Sequence, residues 1–161
     1  MIKQLDMSDL PRAVEVIRAS FATVAQEFGL TEENCPKHTA FATTLKSLQT
    51  QIDWGWYLYG LYDEGQLAGY VSVSKSADAG NVYEMHNLAV LPEHRHKGYG
   101  KRLLDFCIEK VTELGGVKIA VVFIEENTVL KNWYAANGFI HTGTKKFEFF
   151  PFTCGYMEYA V

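Results

Sequence analysis

The chain has 161 residues, 48% of them hydrophobic, 14% aromatic and 21% charged, with a formal net charge of −4. That is enough apolar material for one two-layer core, so a single domain over residues 1–161 is expected. The negative balance argues against general nucleic-acid affinity and toward a cationic small substrate. No uncharged apolar run reaches membrane-spanning length, and the opening Met1-Ile-Lys-Gln-Leu-Asp is no signal peptide. Cys35, Cys107 and Cys154 form no Cys-x-x-Cys spacing, which reads as reduced thiols in a cytoplasmic protein.

In chain order, Ile2–Leu5 is a short apolar strand. Ser8, with Pro11 near the first turn, starts a helix that runs to about Phe28 and stops at Gly29. After a loop over 31–36, residues 37–52 read as a second, threonine-rich helix. The aromatic run from Trp54 to Tyr62 is strand-like and turns at Asp63-Glu64-Gly65-Gln66 into a strand over Leu67–Ser74. A further turn over 78–81 leads to the strand Val82–Leu91, where Pro92 ends the pairing. From Tyr99 apolar residues recur at Leu103, Leu104, Cys107, Ile108, Val111 and Leu114, an amphipathic helix that Gly115-Gly116 stops. Residues 117–124 are β-branched and suit a buried strand. A helix from Asn127 to Asn137, capped by Gly138, precedes the last strands over 139–144 and 156–161. The aromatic stretch between them, 145–154, suggests a wall or an interface.

The turn before the long helix carries the chemistry. A helix start leaves backbone N–H groups unpaired, and the macrodipole makes it mildly positive. Gly98 and Gly100 remove side chains that would keep an anion away, and Arg95 and Lys97 add charge beside it. This is a seat for a phosphate or pyrophosphate. A P-loop is excluded, because no Gly-x4-Gly-Lys-Ser/Thr occurs, and a dinucleotide fingerprint would need a third glycine.

Arg95-x-x-Gly98-x-Gly100, following an apolar strand and opening an amphipathic helix, resembles the acyl-CoA signature of the GNAT superfamily of N-acetyltransferases. Asn127, six intervening residues, Tyr134, then Asn137-Gly138-Phe139 resembles a second motif of that family. The likeness is close over roughly residues 56–146. It implies an α/β (α+β) fold, with a mixed and mostly antiparallel sheet flanked by helices. The central strand and the strand after the long helix would run parallel and splay apart around acyl-CoA.

The resemblance also implies an activity: transfer of an acetyl group from acetyl-CoA to a primary amine, directly and with no metal. Leu88, Ala89 and Val90 would pair with the pantetheine arm, and Asn127 would bind it or cap its helix. The backbone of Arg95, His96, Lys97, Gly98, Tyr99, Gly100 and Lys101 would take the pyrophosphate. Tyr134 would protonate the leaving thiolate, a packing role being the alternative. Glu84 would deprotonate the ammonium. His86 could share or replace it, because residues 84, 86 and 88 share a face unless a bulge intervenes. His86, His94 and His96 do not make a metal set, since no cysteine or carboxylate completes one.

The acceptor is expected to be a small molecule, with a protein or peptide amine as the alternative. A non-catalytic acyl-CoA-binding module is a further alternative. Acceptor choice would rest on about residues 20–56 and 145–156, with Phe28, His38, Trp54, Trp56, Phe149, Phe150 and Phe152 as possible walls. Neither nucleic acid nor membrane is expected as a partner, and the assembly expected is a monomer or homodimer.

Overall fold

The computed structural model describes residues 1–78 and 80–161. Its strands are β1 (Ile2–Gln4), β2 (Tyr57–Asp63), β3 (Gln66–Lys75), β4 (Val82–Val90), β5 (Lys118–Ile124), β6 (Ile140–Lys146) and β7 (Thr153–Ala160). They form one sheet in the order β1-β2-β3-β4-β5-β7-β6. β4 and β5 run parallel, and the other neighbours are antiparallel. The sheet is therefore the mixed, mostly antiparallel one expected. The turn read over 78–81 includes Ala79, which lies outside the described residues.

The helices are α1 (Leu10–Glu27), α2 (Thr39–Ala42), α3 (Leu45–Asp53), α4 (Tyr99–Glu113) and α5 (Thr128–Ala136). α1 buries Leu10, Ala13, Val16 and Ile17 against Leu58, Leu67, Tyr70, Ala89 and Leu91 on one sheet face. α4 buries Leu103, Leu104, Cys107 and Val111 against Val71, Val73, Tyr83, Met85, Ile119 and Val121 on the other. Each fully buried leucine there contributes about 1.5–3 kcal/mol of transfer free energy. Those two contacts hold the sheet between its layers.

Four local readings change. The helix read over 37–52 is two helices, because Thr43 is extended (ψ 120°) and Thr44 starts a new helix with a capping box to Ser47. Threonine side chains bond locally to backbone and so favour such a break. The first helix begins later than Ser8. Asp6 caps a 3-10 turn over Met7–Asp9 and donates its own N–H to the Asp9 carboxylate in return, and α1 follows at Leu10. Trp54 ends α3 instead of opening a strand, and Gly55 (φ 88°) turns the chain into β2. β6 and β7 pair from Lys146↔Thr153, so the last strand starts before Tyr156.

Two irregularities in β4 shape the site. Its partners on β3 jump from Tyr70↔Ala89 to Ser72↔His86, so one residue is extra, and Asn87 has φ 54°. This bulge reverses the alternation. Tyr83 and Met85 before it, and Leu88 and Val90 after it, pack on the α4 side, whereas Ala89 and Leu91 pack on the α1 side. Leu88 therefore does not share a face with Glu84 and His86. On its other edge, β4 pairs with β5 only at Val82↔Lys118, Tyr83↔Ile119 and Glu84↔Ala120. Beyond Glu84 the two strands splay.

Candidate active site

The splay opens a cavity of about 260 Å³. Met85, Leu88 and Phe123 line it from the separating strands, and Asn127, Leu130 and Tyr134 from α5 and its cap. Phe21, His38, Phe150 and Phe152 close the far end. A second cleft holds Glu84, His86, Thr142, Tyr156 and Glu158, and the two share Met85, Asn87 and Val122. The residues read as acid and base thus stand in adjoining clefts that meet at the β4–β5 split. From Met85 onward β4 has no ladder partner in β5, so its backbone polar groups on that edge can pair with an extended ligand.

The turn before α4 has the form of an anion seat. Gly98 caps the helix in the left-handed region (φ 80°), and nothing lies within 4 Å of where its Cβ would stand. The first helical bond runs from the Arg102 N–H to the Gly98 carbonyl at 3.1 Å, which leaves the His96–Lys101 amides outside the helix ladder. The Arg95 N–H is engaged instead, donating to the Pro92 carbonyl at 3.3 Å. The Cβ position of Gly100 lies 3.7 Å from Trp133 of α5, so the helix start faces the helix that carries Tyr134.

The charges read into this turn are already partnered. Arg95 Nε donates to the Val90 carbonyl at 3.2 Å, and its Nη2 donates to the Ser20 carbonyl at 3.0 Å. Lys97 Nζ lies 3.5 Å from Asp63 and 3.1 Å from His94 Nδ1. The turn's free groups are therefore its backbone amides, while these two side chains brace it.

Tyr134 is 6% exposed and packs against Phe123, Trp133 and Phe139. Burial holds its phenol well above the ordinary value, with Cys107 adding to the shift, so it stays protonated through the neutral range. Asn127 Oδ1 accepts the Leu130 N–H at 3.2 Å and caps α5 while lining the cavity. His86 stacks on Trp56 with ring centroids 4.3 Å apart, and its Nε2 lies 2.8 Å from Ser74 Oγ and 3.7 Å from Glu84. Burial lowers its pKa to about 4, which keeps it neutral.

Among the described residues no cluster of three or more His, Cys, Asp or Glu side chains is placed to hold a metal ion. Nor, among them, is any helix long and apolar enough to cross a membrane. Sequence reasoning missed the pair Thr39–Asn87, in which Thr39 Oγ1 donates to Asn87 Oδ1 at 3.0 Å and ties α2 to the bulge. An asparagine inside an apolar strand was the available signal, since it tolerates positive φ. Cys35 and Cys154, read as bland thiols, are buried and line the cavity.

A mixed sheet split between two parallel strands, with a glycine-capped helix facing the split, defines the class as an α/β fold with a strand-edge cleft. The chain belongs to the acetyltransferase (GNAT) family, whose model matches residues 26–139. It is 28% identical over 153 residues to an uncharacterized N-acetyltransferase in the pepI 3' region of Lactobacillus delbrueckii subsp. lactis, spanning 85% of this chain and 82% of that protein. The fold matches the PaiA N-acetyltransferase of Thermoplasma acidophilum, solved in complex with coenzyme A, with a TM-score of 0.83 and 22% identity over 100% of this chain and 98% of that one. It also matches the ribosomal-protein-S18-alanine N-acetyltransferase of Escherichia coli, with a TM-score of 0.79 and 16% identity over 100% and 93% of the two chains. At these identities the solved structures speak for the fold alone.

Proposed function

We propose that this protein moves an acetyl group from acetyl-CoA to the primary amine of a small molecule, by direct transfer. The observation that carries the reading is the end of β4–β5 pairing at Glu84↔Ala120, while β4 keeps β3 and β5 keeps β7. Such a split leaves a backbone edge for a pantetheine arm at Leu88–Val90 without breaking the sheet. The amides from His96 to Lys101, with open space over Gly98, suit the pyrophosphate.

Acetyl-CoA supplies a thioester carbonyl and a thiolate leaving group. Leu88, Ala89 and Val90 orient the arm, and Asn127 binds beside it. Glu84 takes a proton from the acceptor ammonium in the adjoining cleft. Burial keeps His86 neutral, so it binds protons poorly. The amine nitrogen bonds to the acetyl carbon, the carbon–sulfur bond breaks, Tyr134 gives its phenolic proton to sulfur, and the surplus proton of the new amide nitrogen returns to the tyrosinate. The apolar walls at Phe21, Phe150 and Phe152 suit an amine with an apolar body.

Peptide amines are a second reading, favoured by the exposure of Val122 (61%) beside Thr142 and Tyr156 in the second cleft. The test begins with calorimetric titration of acetyl-CoA, followed by thiol-release assays on a panel of small amines and N-terminal peptides. Turnover of amines but not peptides supports the proposal. Turnover of peptides alone moves it to the second reading. Tight binding with no turnover of either leaves only an acyl-CoA-binding module.

A further inference from the structure

The triplet Gly98-Tyr99-Gly100 opens α4, and its glycines give the backbone unusual freedom at the point where an anion would bind. Tyr99 carries the only side chain in that triplet, so it is the handle by which the rest of the fold can fix those amides. The handle is gripped from a distant element. Tyr99 donates its hydroxyl to Asp63 Oδ2 at 2.7 Å, across 36 positions of sequence. Asp63 also lies 3.3 Å from His94 Nδ1 and 3.5 Å from Lys97 Nζ, both in the turn that precedes α4. One carboxylate thus meets two residues of the turn and the first residue of α4.

Asp63 is itself held rigidly. It pairs with Gln66 at the end of the β2–β3 hairpin, whose two connecting residues, Glu64 (φ 50°) and Gly65 (φ 79°), are both left-handed. That is the turn geometry that matches the twist of paired strands. The carboxylate is therefore anchored to the sheet and gives the loop a second tie, beside that of Arg95 to Val90 and Ser20. Its own titration agrees with the grip: the Tyr99 hydroxyl first, and Lys97 after it, hold the carboxyl below its usual range.

We propose that Asp63 is a positioning residue for the pyrophosphate seat, acting through the Tyr99 hydroxyl to aim the first amides of α4. The inference rests on the reading that this turn binds the donor. Charge alone predicts the opposite sign, because a carboxylate near the seat repels phosphate. Lys97 offsets that charge where it stands, so the geometric effect wins. The two effects are separable by experiment.

Calorimetric Kd values for CoA and for pantetheine, which has the arm but no pyrophosphate, are measured on the wild type, Asp63→Ala, Asp63→Asn and Tyr99→Phe. Asp63→Ala and Tyr99→Phe should each weaken CoA binding about five-fold, the ratio that one net hydrogen bond corresponds to. Pantetheine binding should stay within about two-fold of wild type. Asp63→Asn keeps an oxygen for the Tyr99 hydroxyl and should restore CoA affinity to within about two-fold. Equal or tighter CoA binding by Asp63→Ala would overturn the proposal and leave Asp63 as a repelling charge. Parallel weakening of CoA and pantetheine would overturn it in favour of a general loosening of the fold. Failure of asparagine to restore binding would overturn the route through Tyr99. A wild type that does not bind CoA refutes the donor reading itself, before any variant is compared.

Discussion

Arg95 donates to the Ser20 carbonyl at 3.0 Å, joining the phosphate-type turn to helix α1 across 75 positions of sequence. The same guanidinium holds the Val90 carbonyl at 3.2 Å, at the end of the splayed strand. α1 carries Phe21 at the far end of the cavity. One side chain therefore links the strand edge read as the donor track to the wall read as the acceptor side.

Arg95→Ala should lower stability by about 1.5–3 kcal/mol, the range for hydrogen bonds from a charged group. Urea unfolding checks this. KM for both acetyl-CoA and the amine should rise, because both sides lose their brace. Arg95→Lys should recover little, since a point ammonium cannot span two carbonyls as a planar fork does. A variant with unchanged stability would remove the bracing role.

Tyr134→Phe should lower kcat by roughly a hundred-fold or more, the lower end for loss of a positioned acid. CoA affinity and the unfolding midpoint should hold, because the ring still fills the space among Phe123, Trp133 and Phe139. Burial raises the phenol, so the basic limb of the pH–rate profile should not reflect an ordinary tyrosine near pH 10. Stopped-flow thiol release with a saturating amine measures both. Undiminished turnover would make Tyr134 a packing residue only.

Gly98→Ala puts a Cβ on a backbone at φ 80°. The left-handed conformation should cost about 1–2 kcal/mol of stability. The space over Gly98 is open, so the added carbon meets no protein atom and stands where a ligand would lie. CoA affinity should therefore fall by more than the stability loss explains, about ten-fold in a calorimetric titration if one strong phosphate contact is lost. A stability loss with unchanged affinity would move the anion seat elsewhere.

His86 makes a pH prediction whose sign is opposite to that of a histidine held charged in an ion pair. Its folded pKa, about 4, lies below the ordinary value near 6.5, so the unfolded chain binds the proton more readily. No penalty exists above pH 6.5. As pH falls from there toward 4 the fold should lose stability, on the order of 3 kcal/mol in full. Urea unfolding at several pH values should show that slope in the wild type and a shallower one in His86→Phe. Equal slopes would place the acid sensitivity elsewhere.

Much of this fold was legible locally. The spacing of Leu103, Leu104, Cys107 and Val111 places one face of α4 in the core, because a helix repeats its side chains every 3.6 residues. The hairpin at Asp63–Gln66 and the glycine-flanked turn at 98–100 were readable for the same reason. Their chemistry lies in adjacent residues. The threonine-rich stretch 37–52 forms two helices in place of one, because Thr43 and Thr44 break it once Thr44 finds Ser47.

The sequence by itself determined the family motifs, the helices and strands that carry them, and the two glycines that keep side chains away from the start of α4. Tertiary structure alone decided what those pieces do to one another. It turned Leu88 away from Glu84 with one bulged residue, and set Glu84 and Tyr134 in adjoining clefts. It also bound Arg95 and Lys97 to protein partners and gave the loop its anchor in Asp63. The physical reason is range. Backbone ladders and turn preferences act over a few residues. Register, splay and side-chain partnership depend on which distant strands pack together, and no local pattern encodes that choice.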